Sequence, residues 1–131
     1  MKIQVRYYSR SGNTKLLAEE IAKECNVKAI SIDDKKASID KKTDILFIGG
    51  ALYMYGIDKK LKKYILELNP NNINKAIVFS TTSISKHSIS IIKKLLKDKG
   101  INVSDKYIYA RSKPNNKELK EARIIVKNSL K

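Results

Sequence analysis

Residues 7–14, YYSRSGNT, separate a short apolar run from an amphipathic segment, and the interpretation of the whole chain starts from them. The run before them, KIQVRYY (2–8), predicts a β-strand. The segment after them, TKLLAEEIAKEC (14–25), has apolar side chains at helical spacing and predicts a helix. One glycine, Gly12, therefore stands among hydroxyl and amide side chains at the point where a strand passes into a helix.

The residues around Gly12 allow two interpretations. A phosphate bound there would use the unpaired N–H groups and the positive end of the helix, with hydroxyls from Ser9, Ser11 and Thr14. Alternatively, Ser11 or Asn13 caps the helix and nothing binds. The spacing of the residues alone leaves both interpretations open.

The same alternation of strand and helix continues along the chain. Further strands are predicted at 27–32, 44–51, 75–82 and 102–110, and further helices at 58–68, 86–100 and 116–130. Parallel strands need crossover connections, so this order predicts an α/β protein with a parallel five-stranded sheet covered by helices on both faces. The polar segment 33–43 is too short for a full crossover helix and predicts one helical turn or an irregular loop.

Three loops should meet at the carboxyl edge of this sheet, where ligands bind in open parallel sheets. They are SRSGNT (9–14), GGALYMYG (49–56) and STTSISKH (80–87), and all are rich in glycine, small hydroxyl residues or tyrosine. The loops predicted at the opposite edge have the composition of ordinary turns. This difference favours a binding site at the carboxyl edge.

The composition limits the class of protein. A length of 131 residues predicts one domain, 1–131, with a real core, and no apolar run approaches the roughly 20 residues needed to cross a bilayer. The N-terminus lacks the pattern of a signal peptide, so we expect a cytoplasmic protein. A single cysteine and a single histidine argue against a disulfide and against a metal site built from several such ligands.

The charge is unusual. The formal net charge is +15, with 24 lysines and only four arginines. Such a field attracts nucleic acid, acidic protein partners or phosphorylated ligands. The lysines are spread over all predicted elements, which is also typical of a solvated basic surface without a function of its own.

The stretch YYSRSGNTKLLAEEIA resembles the phosphate-binding loop of flavodoxins, Thr/Ser-x-Thr/Ser-Gly-x-Thr, with Ser9, Ser11, Gly12 and Thr14 at its defined positions. The similarity extends to DILFIGGALYMYGIDKKLKKYI (44–65), which resembles the third strand and flavin loop of short flavodoxin-like proteins. The order and the lengths of the predicted elements agree with those of this family over the whole chain. The resemblance implies a flavodoxin-like three-layer α/β/α sandwich with strand order 2-1-3-4-5.

By this resemblance the chain binds FMN. The phosphate would lie on Ser9, Arg10, Ser11, Gly12, Asn13 and Thr14. The ring would lie against Gly50, Ala51, Leu52 and Tyr53, with Tyr53 as the stacking aromatic, and its other edge would meet Thr81, Thr82 and Ser83. No catalytic side chain and no metal is implied.

The resemblance implies an electron carrier or, less favoured, a small quinone or flavin reductase. The basic charge suggests an acidic redox partner. Two alternatives stay open: a flavodoxin fold that serves as an interaction module without FMN, and a basic nucleic-acid-binding protein, for which the chain shows no recognised motif.

Overall fold

The fold is described by a computed structural model that covers residues 1–53, 56–82 and 85–131. The strands are β1 (Ile3–Tyr7), β2 (Ala29–Ser31), β3 (Thr43–Gly49), β4 (Ile73–Thr81) and β5 (Val103–Ala110). The helices are α1 (Asn13–Glu24), α2 (Lys59–Leu66), α3 (His87–Asp98) and α4 (Asn116–Ser129). Short 3₁₀ turns at Lys35–Ala37 and Pro70–Asn72 complete the described elements.

All strand pairs are parallel and the sheet order is β2-β1-β3-β4-β5, which confirms the predicted α/β architecture. The predicted boundaries hold within about two residues, and the largest relative change is in β2, which has only three of the six residues predicted at 27–32. This strand lies at the edge of the sheet and pairs on one side only. The connection at 33–43 contains the single turn Lys35–Ala37, one of the two forms expected for it.

The alternation of side chains along β3 explains the three layers. Ile45 and Phe47 point to one face and pack with α1 and α4, while Leu46 and Ile48 point to the other and pack with α2 and α3. All four side chains are buried. A strand whose two faces are both covered must be apolar at every position, which is why this segment shows no alternation of apolar and polar residues.

Arg6 is the exception to the apolar interior. It lies on the central strand β1 with 2% of its surface exposed. Its Nε donates to the carbonyl of Ala37 at 2.8 Å, and its Nη1 donates to the carbonyl of Val5 at 3.1 Å. The hydroxyl of Tyr64 donates to the same Ala37 carbonyl at 2.5 Å. Arg6 therefore ties the 3₁₀ turn and α2 to the sheet, a role for which the sequence gives no signal.

Candidate cofactor site

The loop after β1 is shaped by Gly12. This residue has φ +95°, in the left-handed region that favours glycine, and α1 begins immediately after it. The hydroxyl of Ser9 accepts a hydrogen bond from the Gly12 N–H at 3.0 Å, and the hydroxyl of Ser11 accepts one from the Asn13 N–H at 3.4 Å. The loop thus turns sharply before the helix and places two hydroxyls beside its first turn.

The start of α1 corrects one sequence expectation. Neither Ser11 nor Asn13 caps the helix, because the residue at the cap position is Gly12, which has no side chain. No side chain of the described residues makes a capping hydrogen bond there. Apart from the Asn13 N–H, which donates to Ser11, the N–H groups of the first turn are left for another acceptor or for water.

The structure brings Thr14 and Thr81 together. Their hydroxyls are 2.6 Å apart and hydrogen-bonded, and the two residues are 1% and 2% exposed. This buried contact joins the first turn of α1 to the end of β4 and so fixes two of the three loops relative to each other. Thr14 was expected at the phosphate; the structure shows its hydroxyl already bonded to Thr81.

Residues from all three loops surround one depression at the carboxyl edge. The described part of its lining encloses about 170 Å³. The lining consists of Ser11, Asn13, Ala51, Leu52, Tyr53, Thr81, Thr82 and Ser112. The expected site residue Ser83 lies outside the described part of the chain, as do residues 54–55 in the second loop.

The expected residue Gly50 lies behind this depression. It is buried, its carbonyl accepts a hydrogen bond from Ser80 at 2.5 Å, and a side chain at this position would overlap Leu61. The packing of β3 against β4 and α2 therefore explains this glycine without any ligand.

Tyr53 stands at the edge of the site. Its N–H donates to the carbonyl of Gly56 at 2.7 Å, and the N–H of Gly56 donates back at 3.0 Å. The guanidinium carbon of Arg10 lies 3.8 Å from the centroid of the Tyr53 ring, within the range of a cation–π interaction. Burial raises the pKa of the Tyr53 hydroxyl, and the charge of Arg10 partly offsets this rise.

The side chain of Arg10, which the resemblance assigns to the phosphate, bonds to Asp58 at the start of α2. Its Nε and Nη2 donate to the same carboxylate oxygen of Asp58, at 3.0 and 2.5 Å. The other oxygen of Asp58 accepts from the N–H of Lys60 at 2.8 Å and caps α2. Burial raises the pKa of Asp58, but the Lys60 N–H bond and the guanidinium of Arg10 outweigh it, so the pKa lies below 3.8.

Two residues of this region were missed by the sequence analysis. Asp58 was predicted only as the start of a helix, although an aspartate before a helical pattern is a cap signal. Ser112 follows β5, has φ +53° and lines the depression. The carboxyl ends of all parallel strands share one edge, so the loop after β5 could have been included on that ground.

Other depressions do not join the three loops. One of about 480 Å³ lies beside the 3₁₀ turn Lys35–Ala37 and the end of α2, and its lining is mainly polar. Another, of about 540 Å³, is lined by Arg10, Tyr53, Gly56, Ile57, Asp58, Lys59 and Lys60. In the described part of the chain, no group of three or more His, Cys, Asp or Glu residues could hold a metal ion. None of the helices formed by the described residues is long and apolar enough to cross a membrane.

The fold defines a doubly wound α/β protein in which three loops meet around a depression at the carboxyl edge of the sheet. The family model of the flavodoxin domain matches residues 4–120, and the chain therefore belongs to the flavodoxin family. Comparison with curated protein sequences gave no match.

Solved structures of similar proteins agree with this assignment. A flavodoxin from the domain Archaea is 25% identical, with a TM-score of 0.84 over 98% of this chain and 95% of its own. Flavodoxin 1 from Bacillus cereus is 19% identical, with a TM-score of 0.82 over 99% and 97% of the two chains. Rubredoxin oxygen:oxidoreductase from Desulfovibrio gigas, 16% identical, matches 96% of this chain at a TM-score of 0.78, but only 34% of its own length.

Proposed function

We propose that this protein binds FMN at the three-loop depression and acts as an electron carrier. The observation that carries the proposal is the convergence of the Gly12 loop, the Tyr53 loop and the end of β4 on one depression. Membership of the flavodoxin family and the phosphate-loop motif support the same cofactor. FMN supplies one- and two-electron chemistry when bound, and the protein contributes position and electrostatics.

The residues present fit this cofactor at two points. At the phosphate end, α1 begins without a side-chain cap, and Ser11 and Asn13 line the depression. A phosphate there would accept from the first-turn N–H groups and interact with the positive end of the helix. At the ring end, Tyr53 offers a half-buried aromatic surface beside Ala51 and Leu52.

The position of Tyr53 bears on how the cofactor would lie. Tyr53 stands at the edge of the depression and is only partly buried. In this proposal a flat ring stacked on Tyr53 keeps an edge toward solvent. An exposed ring edge suits electron exchange with a protein partner, which favours a carrier over a reductase that must also enclose a substrate.

The test compares FMN with riboflavin, which has the same ring but no phosphate. We expect the wild-type protein to retain FMN, read from its visible absorbance, and to bind riboflavin far more weakly. Ser11→Ala should weaken FMN binding and leave riboflavin binding nearly unchanged, because the proposal assigns this hydroxyl to the phosphate alone. Tyr53→Ala should weaken both, by about tenfold or more, because stacking acts on the ring.

Two results would contradict the proposal. Wild-type protein that binds neither flavin would leave an interaction module or a nucleic-acid-binding protein as the function. Equal affinity for FMN and riboflavin would show that the Gly12 loop does not hold a phosphate.

A further inference from the structure

The basic charge is distributed unequally between the two helical layers. Helices α1 and α4 together carry six basic and five acidic residues, whereas α2 and α3 carry seven basic residues and one acidic residue. Counted within the helices, one layer is therefore almost neutral and the other strongly positive, although Asp58 and Glu67 at the two ends of α2 add two acidic residues to the positive layer. A uniform excess of lysine would not produce this difference.

Ion pairs compensate the charges of α4 better than those of α2, while on α3 the amine of Lys94 lies 3.3 Å from Asp98 of the same helix. On the nearly neutral face, Arg123 bonds to Glu20 at 2.5 Å and Lys127 lies 3.4 Å from Glu24, so charges of α4 are matched by charges of α1. On the positive face the lysines of α2 have weaker partners: Lys63 lies 4.0 Å from Glu67 and Lys60 lies 3.8 Å from Asp33, both exposed pairs.

Two lysines of α2 have no such partner. Lys59 and Lys62 are exposed, and no carboxylate of the described residues lies within 4.0 Å of either amine. Because no nearby carboxylate neutralises them, the charges of these two lysines act on approaching molecules.

This positive face reaches the candidate cofactor site. Lys59 lines a depression together with Tyr53, and Tyr53 also lines the three-loop depression. On the side of α3, the amine of Lys86 lies 5.3 Å from the ring centroids of Tyr107 and Tyr109, and the Tyr109 hydroxyl donates to the carbonyl of Thr82 at the site. Cations thus stand on two sides of the site, both in the α2–α3 layer.

We infer that the α2–α3 face beside Tyr53 is the docking surface for an acidic redox protein, an inference that rests on the proposed function. A partner with a negative patch around its redox centre would be steered to the face that borders the flavin site. Fields of this kind raise association rates and orient the encounter.

The observations favour an acidic protein over nucleic acid. The cations concerned are lysines, which act as hydrated point charges, while arginine forks are the groups that hold phosphates bidentately. Arg10, which lines the same depression as Lys59, already donates to Asp58.

The experiment uses FMN-loaded protein and, as a probe, an acidic plant-type ferredoxin reduced at its iron–sulfur cluster. One electron passes from the reduced cluster to the oxidised flavin, and stopped-flow absorbance gives the second-order rate constant at several salt concentrations. The test variant is Lys59→Glu/Lys62→Glu on α2. The control is Lys117→Glu/Lys120→Glu on α4, with the same spacing and the same charge change at two positions that are also exposed.

We expect the α2 variant to lower the rate constant about tenfold or more at low salt and to flatten its salt dependence. The α4 control should stay within about twofold of wild type. Equal losses in both variants would show that only the net charge matters and would overturn the inference. No loss in either variant would overturn it as well.

Two further measurements distinguish docking of an acidic protein from nucleic-acid binding and from a lack of FMN. A fluorescent thymidine oligonucleotide whose binding is lost in the α2 variant, with no change in the ferredoxin rate, would make the face a nucleic-acid surface and overturn the inference. Flavin absorbance is read before mixing, so a wild type without FMN contradicts the proposed function separately. In that case the binding of labelled ferredoxin tests the docking surface on its own. Binding that is lost only in the α2 variant supports the inference, and a wild-type protein that does not bind ferredoxin overturns it.

Discussion

At the scale of single residues, Asp58 connects the Gly12 loop (residues 9–14) to α2. Its carboxylate accepts hydrogen bonds from Arg10 and from the N–H of Lys60, and together they hold its pKa below the ordinary value of 3.8 despite the opposing effect of burial. A depressed pKa in the folded state means that the ionised carboxylate contributes stability above about pH 4, and that this contribution is lost as the pH falls through the folded pKa.

Asp58→Asn should therefore be less stable than wild type near neutral pH, with a difference that shrinks as the pH falls below 3.8. Asparagine can still cap α2, so the substitution removes mainly the charge. Urea unfolding midpoints near neutral pH and at about pH 3 measure the effect. Asp98→Asn, which breaks an exposed pair with Lys94, is the control and should change little. A stability difference that does not depend on pH would contradict this role of the Asp58 charge.

Single residues also show what could not be predicted from the sequence: which distant partner a side chain bonds to. The resemblance predicted Ser11, Asn13 and Tyr53 at the site, and all three line the depression. The hydrogen bond between Arg10 and Asp58 joins residues 48 positions apart, and nothing near Arg10 in the sequence indicates it. Such a partner choice depends on how β3 and α2 pack, which no local pattern encodes.

At the scale of elements, α1 depends on the left-handed residue before it. Gly12 has φ +95° and Gly100, at the end of α3, has φ +86°; neither would bring an added Cβ within 4 Å of the heavy atoms considered. Gly12→Ala and Gly100→Ala should therefore cost similar stability, about 1–2 kcal/mol each, from backbone strain alone.

Only Gly12→Ala should also weaken FMN binding, because only this glycine shapes the loop at the start of α1. Thermal unfolding compares the stability of the two variants, and titration with FMN compares their affinity. If Gly100→Ala reduced FMN affinity as much as Gly12→Ala, the loss would reflect general destabilisation and not the phosphate loop.

Most elements could be predicted because their signals are local. The helical spacing in α1 and the continuous apolar run of β3 each indicate one structure, and the order of elements then gives the layers. The cap of α1 could not be predicted, because Ser11, Gly12 and Asn13 are all acceptable cap residues and the backbone angle of Gly12 decides among them. The burial of Arg6 depends on the carbonyl of Ala37, 31 positions away.

At the scale of the whole molecule, the net charge of +15 acts on any flavin bound at the site. The second one-electron reduction of flavin gives the fully reduced form, which is anionic when deprotonated. A positive potential stabilises that anion and raises the midpoint potential of this step. In a solvent-exposed site the contribution of many surface lysines is also sensitive to screening.

Raising the ionic strength should therefore lower the midpoint potential of the second reduction step of bound FMN, by an amount on the order of tens of millivolts. Potentiometric titration at low and high salt measures the change. Lys59→Glu/Lys62→Glu should reduce both the midpoint potential at low salt and its salt dependence more than Lys117→Glu/Lys120→Glu, because Lys59 lines a depression together with Tyr53. A midpoint potential that rises with salt, or equal effects of the two variants, would show that the unequal charge of the two helical layers does not act at the flavin.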